Sequence, residues 1–270
     1  MTAIETKDKR HTAEYMASVI EDEINKHGGP ARFTGIVSDN AANMKHAAMI
    51  VIEKDGFGHI TWLACLCHTF HLLIGNIAKL QSNEELLNSC KNMVKCITQK
   101  TIVLAKFSSN KSSDSSLHLP GATRWGSVVR SLLSLETHKH AIQITVIDPD
   151  IAGDIPVEVR RNALNDDFWS KVNRLKNFLS PIVTWIKIFE NEKSQIHRAM
   201  KAVQEVKAAY NQFLETLHLT PSEEEKAVRY FQEKEESSIK DIHFAAHLLD
   251  PNEKGKMVPI TYYRLLIQSK

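Results

Sequence analysis

Two short apolar runs near the start of the chain limit what it can fold into. Residues 33–37 and 59–65 are rich in β-branched and aromatic side chains, a composition that favours strands. One helical pattern precedes the first run, and a further one follows each run. Strands that alternate with helices usually lie parallel, joined by right-handed crossovers. We therefore predict two parallel strands embedded among helices.

The rest of the sequence predicts helices. Apolar residues recur at helical spacing over residues 84–107, 125–147 and 166–217, the last range being interrupted near Pro181, where proline removes a backbone donor. No convincing strand follows residue 80. We expect a mobile, serine-rich loop over about residues 108–122 and a break over about 148–156. The predicted fold is thus mostly α with a small α/β part, divided into residues 1–80 and 81–270.

Composition excludes several classes of protein. Lys and Arg total 34 against 32 Asp and Glu, so the net charge of +2 gives no whole-chain attraction to nucleic acid or to anionic lipid. The longest apolar stretches are far shorter than the ~18 residues of a membrane-spanning helix, so we expect no membrane partner. The start of the sequence lacks the apolar core of a secretory signal. The sequence has four cysteines, and their spacing does not suggest a disulfide framework. This indicates a reducing compartment.

Four strings, in a fixed order, carry a family resemblance. They are IVSDNAANM at 36–44, CLCHTFHLLI at 65–74, TRW at 123–125 and AAHLLDP at 245–251. None is specific alone, but their order and spacing together resemble the transposases of the hAT superfamily and the proteins derived from them. The resemblance covers about residues 10–255.

The resemblance implies a fold and an ancestral chemistry. Residues 1–80 would be part of a ribonuclease H-like core, and residues 81–270 the helical insertion domain of the superfamily. In that family three acids hold two divalent ions, Mg²⁺ or Mn²⁺, for DNA strand cleavage and transfer, and Asp39 matches the second acid. The other two acids would lie outside this sequence. We therefore expect a truncated protein that binds no metal tightly and lacks activity on its own.

Asp39 also has a simpler interpretation. It follows a predicted buried strand, a position from which a carboxylate can project into the crevice at the sheet edge. Ser38, Asp39 and Asn40 could instead only turn the chain and cap the next helix. With the resemblance we favour a carboxylate descended from a metal site.

The cysteines and histidines of residues 65–71 suggest a metal cluster at first sight. Zinc sites usually need a second pair of ligands from another segment, and none with matching spacing follows. We therefore predict no zinc here. Cys65 and His68 match a C-x-x-H motif of the family, which implies a structural junction near the active site, and we expect both side chains to be buried and hydrogen-bonded.

Arg124 and Trp125 have two possible roles. They could begin a helix, with Trp125 in the core and Arg124 in water. The resemblance implies instead that Arg124 contacts phosphate and Trp125 stacks on an unpaired base. Residues 91–135 support DNA as a partner, because they contain seven basic residues and a single acid.

Three functional hypotheses remain from the sequence. The first is a catalytically inactive, transposase-like protein with residual DNA binding and, by resemblance alone, a nuclear location. The second is a helical scaffold for another protein, and the third is a nuclease that another chain completes. In each case we expect self-association or a partner chain, because two strands leave unpaired sheet edges. We expect no small-molecule substrate.

Overall fold

The computed structural model describes residues 10–121, 125–191, 195–216 and 220–252. These ranges are mostly helical and contain one sheet of two parallel strands, which confirms the predicted fold class. Strand β1 is Gly35–Ser38 and strand β2 is Thr61–Ala64, with Gly35 paired to Thr61. Both strands begin two residues later than predicted.

Helices α1 and α2 cover the sheet with a small apolar core. Helix α1, Ala13–Lys26, ends before Gly28, whose φ of 103° suits glycine, and helix α2, Ala42–Ile52, connects the two strands. The buried side chains of this core come from both helices and from the turn before β2. They are Ala17, Ile24, Ala47, Val51, Phe57 and Ile60.

Helix α3 belongs to a second, much larger core. It spans Leu66–Ala78 and starts directly after β2, and Phe70, Leu73 and Ile77 are buried against the later helices. The cores therefore divide before the boundary expected at residue 80. No described helix is long and apolar enough to cross a membrane. The later helices are α4 Gln81–Gln99, α5 Thr101–Asn110, α6 Trp125–Thr137, α7 Lys139–Ile147, α8 Val157–Ala163, α9 Asp166–Phe189, α10 Ala199–Thr216, α11 Pro221–Ser238 and α12 Asp241–Leu249.

Two helices predicted to be continuous are each split by one residue. Lys100 is extended, with φ −104° and ψ 114°, and separates α4 from α5. His138 separates α6 from α7. Its ring is buried, contacts Phe107 edge-on at 5.4 Å between centroids and lies 3.0 Å from the Ser115 hydroxyl through Nε2. Packing against residues distant in sequence thus accounts for the split at His138.

The predicted interruption near Pro181 was wrong, because α9 runs through it to Phe189. The apolar face continues across the proline, and Phe178, Ile182 and Trp185 are all buried. Burying one such side chain contributes about 1.5–3 kcal/mol, so several together outweigh the ~3 kcal/mol that a proline costs inside a helix.

The serine-rich loop is attached to the helical core. Leu117 is buried in that core, and the His118 N–H donates to the Ser134 hydroxyl at 3.1 Å. The Lys111 ammonium donates to the carbonyl of Ser115 at 3.2 Å. These contacts hold residues 111–118 of the segment, which the sequence predicted to be a mobile loop, against the helical core.

Candidate functional site

Asp39 lies immediately after β1, as predicted, and turns the chain into α2. Its side chain is exposed, and Oδ1 accepts a hydrogen bond from the Ala41 N–H at 3.2 Å. This is an Asx-turn rather than a helix cap, because α2 begins at Ala42 and has no side-chain cap. A metal-binding role for Asp39 remains a prediction.

The residues that the structure describes do not fit the two-metal site implied by the resemblance. Within these ranges no three His, Cys, Asp or Glu side chains converge where they could hold a metal ion. Asn40, the next residue, has a buried Oδ1 without a hydrogen-bond partner among the described residues. A bridging two-metal site needs several carboxylates, so we derive no catalytic step from Asp39.

A buried hydroxyl next to Asp39 joins three parts of the chain. The Thr69 hydroxyl donates to the Cys65 carbonyl at 3.1 Å and accepts from the Asn40 amide at 3.0 Å. Its one hydrogen is then used, so the Ser238 hydroxyl, 3.1 Å away, must be the donor to it. Thr69 and Ser238 are both buried. We call Asn40, Thr69 and Ser238 the polar junction, which the sequence analysis missed.

Cys65 occupies the position just before α3. Its N–H donates to the Ser38 carbonyl at 2.8 Å, which fixes the end of β2 beside the end of β1. Its thiol is partly exposed rather than buried, as is His68. A hydrogen bond from the Cys67 thiol, followed by the backbone N–H groups of His68 and Cys67, lowers the pKa of Cys65 below its ordinary value of 9.0, although burial opposes this.

Cys67 faces the helical domain. Its sulfur lies 3.7 Å from the Ile186 carbonyl, to which its hydrogen can donate. The neighbouring Cys65 sulfur, then burial, raise the pKa of Cys67, so Cys67 is the protonated member of the pair. Both thiols border a cavity of about 400 Å³, whose other walls are mainly apolar and include Leu63, Phe189 and His243. All four cysteines are free.

Trp125 is the first residue of α6, whereas Arg124 lies outside the described residues. The indole is partly buried and packs against the large core. It lies against Gly75 of α3, where an added side-chain carbon would stand 3.8 Å from indole Cζ2. Trp125 therefore fits neither a fully buried core residue nor a free aromatic platform, and both proposed roles remain predictions.

A groove lies between α6 and α9, and its α6 wall is formed by residues that come after Trp125 in the sequence. It encloses about 530 Å³, and its exposed cations are Arg130 of α6 and Lys187 of α9. We call it the basic groove. One acid, Glu190, also lines it, with its carboxylate 4.0 Å from Nε2 of His71. Lys187 lies outside the basic segment identified in the sequence, so only the fold brings it to Arg130.

Two of the seven basic residues in the basic segment pair with acids from elsewhere. Lys106 pairs with Asp148 at 3.0 Å and with Asp150 at 2.8 Å, and Lys100 lies 4.0 Å from Asp154. The sequence count therefore overstated the basic surface, because these acids follow α7 in sequence but lie beside Lys100 and Lys106 in the fold.

The chain matches no family model and no curated protein.

Proposed function

We propose that this chain is a transposase-like protein that binds distorted or single-stranded DNA through the basic groove without cleaving it. The observation that carries the proposal is the position of two exposed cations, Arg130 of α6 and Lys187 of α9, in one groove whose α6 wall starts at Gly126, the residue after Trp125. A cation pair next to a partly exposed aromatic ring suits a sugar-phosphate backbone with one unstacked base.

Local electrostatics support an anion in this groove. The first turn of α6, including Gly126 and Ser127, lines one wall, and a helix amino end carries partial positive charge. Glu190 also lines the groove and would repel phosphate, so we expect the backbone to pass nearer Arg130 than Glu190. The resemblance to hAT transposases implies a phosphate contact for Arg124 as well.

The arrangement of strands supports a ribonuclease H-like origin. Two parallel strands, one crossover helix and an acid directly after β1 agree with the later half of such a core, and the long helical array agrees with the insertion domain of hAT transposases. Mg²⁺ or Mn²⁺ would belong to a complete enzyme, and a nuclear location is implied by the family resemblance alone. Each of these assignments is part of the proposal.

A salt-dependent gel shift tests the groove. We expect binding to hairpin or single-stranded DNA to exceed binding to duplex, and the double variant Arg130→Gln with Lys187→Gln to weaken it. Each lost phosphate contact should lower the slope of log affinity against log salt by roughly 0.7 on single strands. Metal-dependent cleavage abolished by Asp39→Ala would contradict the inactive state.

The matched control is the double variant Lys91→Gln with Lys95→Gln. These exposed lysines of α4 belong to the same basic segment and carry the same charge, but they do not line the groove. Equal losses in the two double variants would mean that general charge, not the groove, attracts DNA. Unchanged binding in the groove variant would remove the proposed site.

A second candidate function is a helical scaffold for another protein. Apolar side chains are exposed along α7 and α8, with Ile147 59% and Val157 81% accessible. Exposed apolar side chains on two helices that pack against each other can form one interaction patch for a partner. The variant Val157→Lys should leave DNA binding unchanged and abolish capture by such a partner.

A further inference from the structure

The strand-to-helix junction holds two thiols that no part of the DNA-binding proposal uses. Cys65 and Cys67 are two residues apart at the start of α3, both are free, and both border the 400 Å³ cavity. The other two cysteines differ in their exposure to solvent. Cys90 and Cys96 are buried within α4, with 2% and 8% of their surface accessible.

We propose that Cys65 and Cys67 form a peroxide-sensitive dithiol in which Cys65 is the reacting thiolate and Cys67 resolves it to a disulfide. Three structural features support the assignment: both residues are free cysteines that border one cavity, this cavity gives a small oxidant access, and Cys65 is the N-cap of α3, where the first-turn backbone N–H groups favour a thiolate. The proposal is independent of DNA binding.

The reaction balances without another cofactor. The Cys65 thiolate attacks one oxygen of a peroxide, an S–O bond forms, the O–O bond breaks, and the departing hydroxide takes a proton to become water. The Cys67 sulfur then loses its proton and attacks Cys65, so that an S–S bond forms and the S–O bond breaks, releasing a second water. Two thiols are oxidised by two electrons as one peroxide is reduced.

The two sulfurs have different tasks because their surroundings differ. Cys65 is the better nucleophile, since hydrogen bonds stabilise its thiolate. Cys67 keeps its proton and has an alternative acceptor in the Ile186 carbonyl. Disulfide formation removes that proton, so Cys67 can no longer donate to the Ile186 carbonyl of α9. Oxidation would therefore loosen one link between the α/β part and the helical array.

The test uses the purified full chain, hydrogen peroxide and mass spectrometry. We expect peroxide to remove two hydrogens from the intact mass, peptide mapping to place an internal bond between Cys65 and Cys67, and dithiothreitol to reverse it. In the untreated native protein, iodoacetamide at neutral pH should label Cys65 at least about tenfold faster than Cys96, because only the thiolate reacts.

Three variants separate the roles of the sulfurs. Cys67→Ser should stop at a sulfenic acid on Cys65 that dimedone captures, Cys65→Ser should give no reaction at Cys67, and Cys96→Ser should behave as the wild type. The proposal is overturned if Cys65 labels no faster than Cys96 in the wild-type chain. It is equally overturned if peroxide leaves both thiols reduced or joins either one to Cys90 or to a second molecule.

Discussion

Trp125 is the residue at which DNA binding and folding can be distinguished. Because its indole is only partly buried, we expect Trp125→Ala to lose stacking worth about 1–3 kcal/mol of DNA affinity. The loss of folding stability should be smaller than the ~3–5 kcal/mol typical of a core tryptophan. Gel shift and thermal melting of the same variant measure both quantities.

Trp169 provides the matched control for this substitution. It is buried, with 5% of its surface accessible, and its indole N–H donates to the Ala163 carbonyl at 2.8 Å. Trp169→Ala should therefore melt much lower. If Trp125→Ala binds DNA as the wild type does and melts as low as Trp169→Ala, the base-stacking role is wrong and the scaffold hypothesis gains support.

His243 makes stability depend on pH. Burial is the main cause that lowers its pKa below the ordinary 6.5, and the nearby charge of Lys240 acts in the same direction. Burial lowers the pKa of His138 likewise. The unfolded chain therefore binds more protons than the folded chain just below pH 6.5, so stability falls as the pH drops through that range.

Urea denaturation at pH 7.5 and at pH 5.5 measures this dependence. We expect His243→Gln to show a smaller loss of stability between the two pH values than the wild type. His59, an exposed histidine bonded to the Pro30 and Phe33 carbonyls, offers the comparison His59→Gln. An unchanged pH dependence in His243→Gln would exclude His243 as the cause.

Helix α9 shows what a sequence pattern omits. The pattern correctly predicted helices on both sides of Pro181, but the rule that proline ends a helix takes no account of burial. The splits at Lys100 and His138 were missed for a related reason, since His138 is held by Phe107 and Ser115, which are distant in sequence. Local periodicity predicts that an element exists, whereas its ends depend on the tertiary structure.

The candidate site was predictable to a similar extent. Asp39 at the end of a strand and Trp125 at the start of a helix follow from local sequence, and the structure places both as expected. The position of Arg130 and Lys187 on one groove depends on how α6 packs against α9, and sequence spacing does not predict that packing. The Thr69 hydroxyl was equally hidden, because its partners come from distant segments.

Substituting Pro181 tests whether α9 tolerates the proline at a cost. Pro181→Ala restores an N–H donor inside the helix, but it also makes the unfolded chain more flexible, which lowers stability. We expect a net gain of about 1–2 kcal/mol in unfolding free energy. Urea denaturation measures the gain. Pro156→Ala, just before α8, removes no interior proline and should give no gain of this size. A loss of stability in Pro181→Ala would show that the helix depends on its proline.

The polar junction connects β1, α3 and α11. Thr69→Val keeps the shape of the side chain but leaves the Asn40 amide and the Ser238 hydroxyl without their acceptor, so we expect a loss of about 1–3 kcal/mol in urea denaturation. Thr98 is a control, because its hydroxyl bonds only to the Val94 carbonyl at 2.7 Å. Equal losses in Thr69→Val and Thr98→Val would mean that the junction adds nothing.

At the scale of the whole molecule, we expect self-association. In the described ranges β1 and β2 pair only with each other, so each has an outer edge with unpaired backbone groups. Val37 of β1 is 64% exposed beside this edge. Light scattering over a range of concentrations should show species larger than a monomer, and Val37→Lys should reduce them.

The control Val157→Lys changes an exposed valine at the start of α8, away from the sheet. It should leave association through the sheet unchanged. A monomer at every concentration, with cooperative unfolding, would contradict the expectation that the open edges bring chains together.

The polar junction also determines when the chain can finish folding during its synthesis. Thr69 and Ser238 are 169 residues apart in sequence. At the ~5–20 residues per second at which chains are made, Thr69 leaves the ribosome roughly 10–30 seconds before its last partner exists. During that interval the sheet and its two covering helices must persist without α11. A newly made chain therefore passes through a half-closed stage in which chaperones can reach surfaces that the finished protein buries.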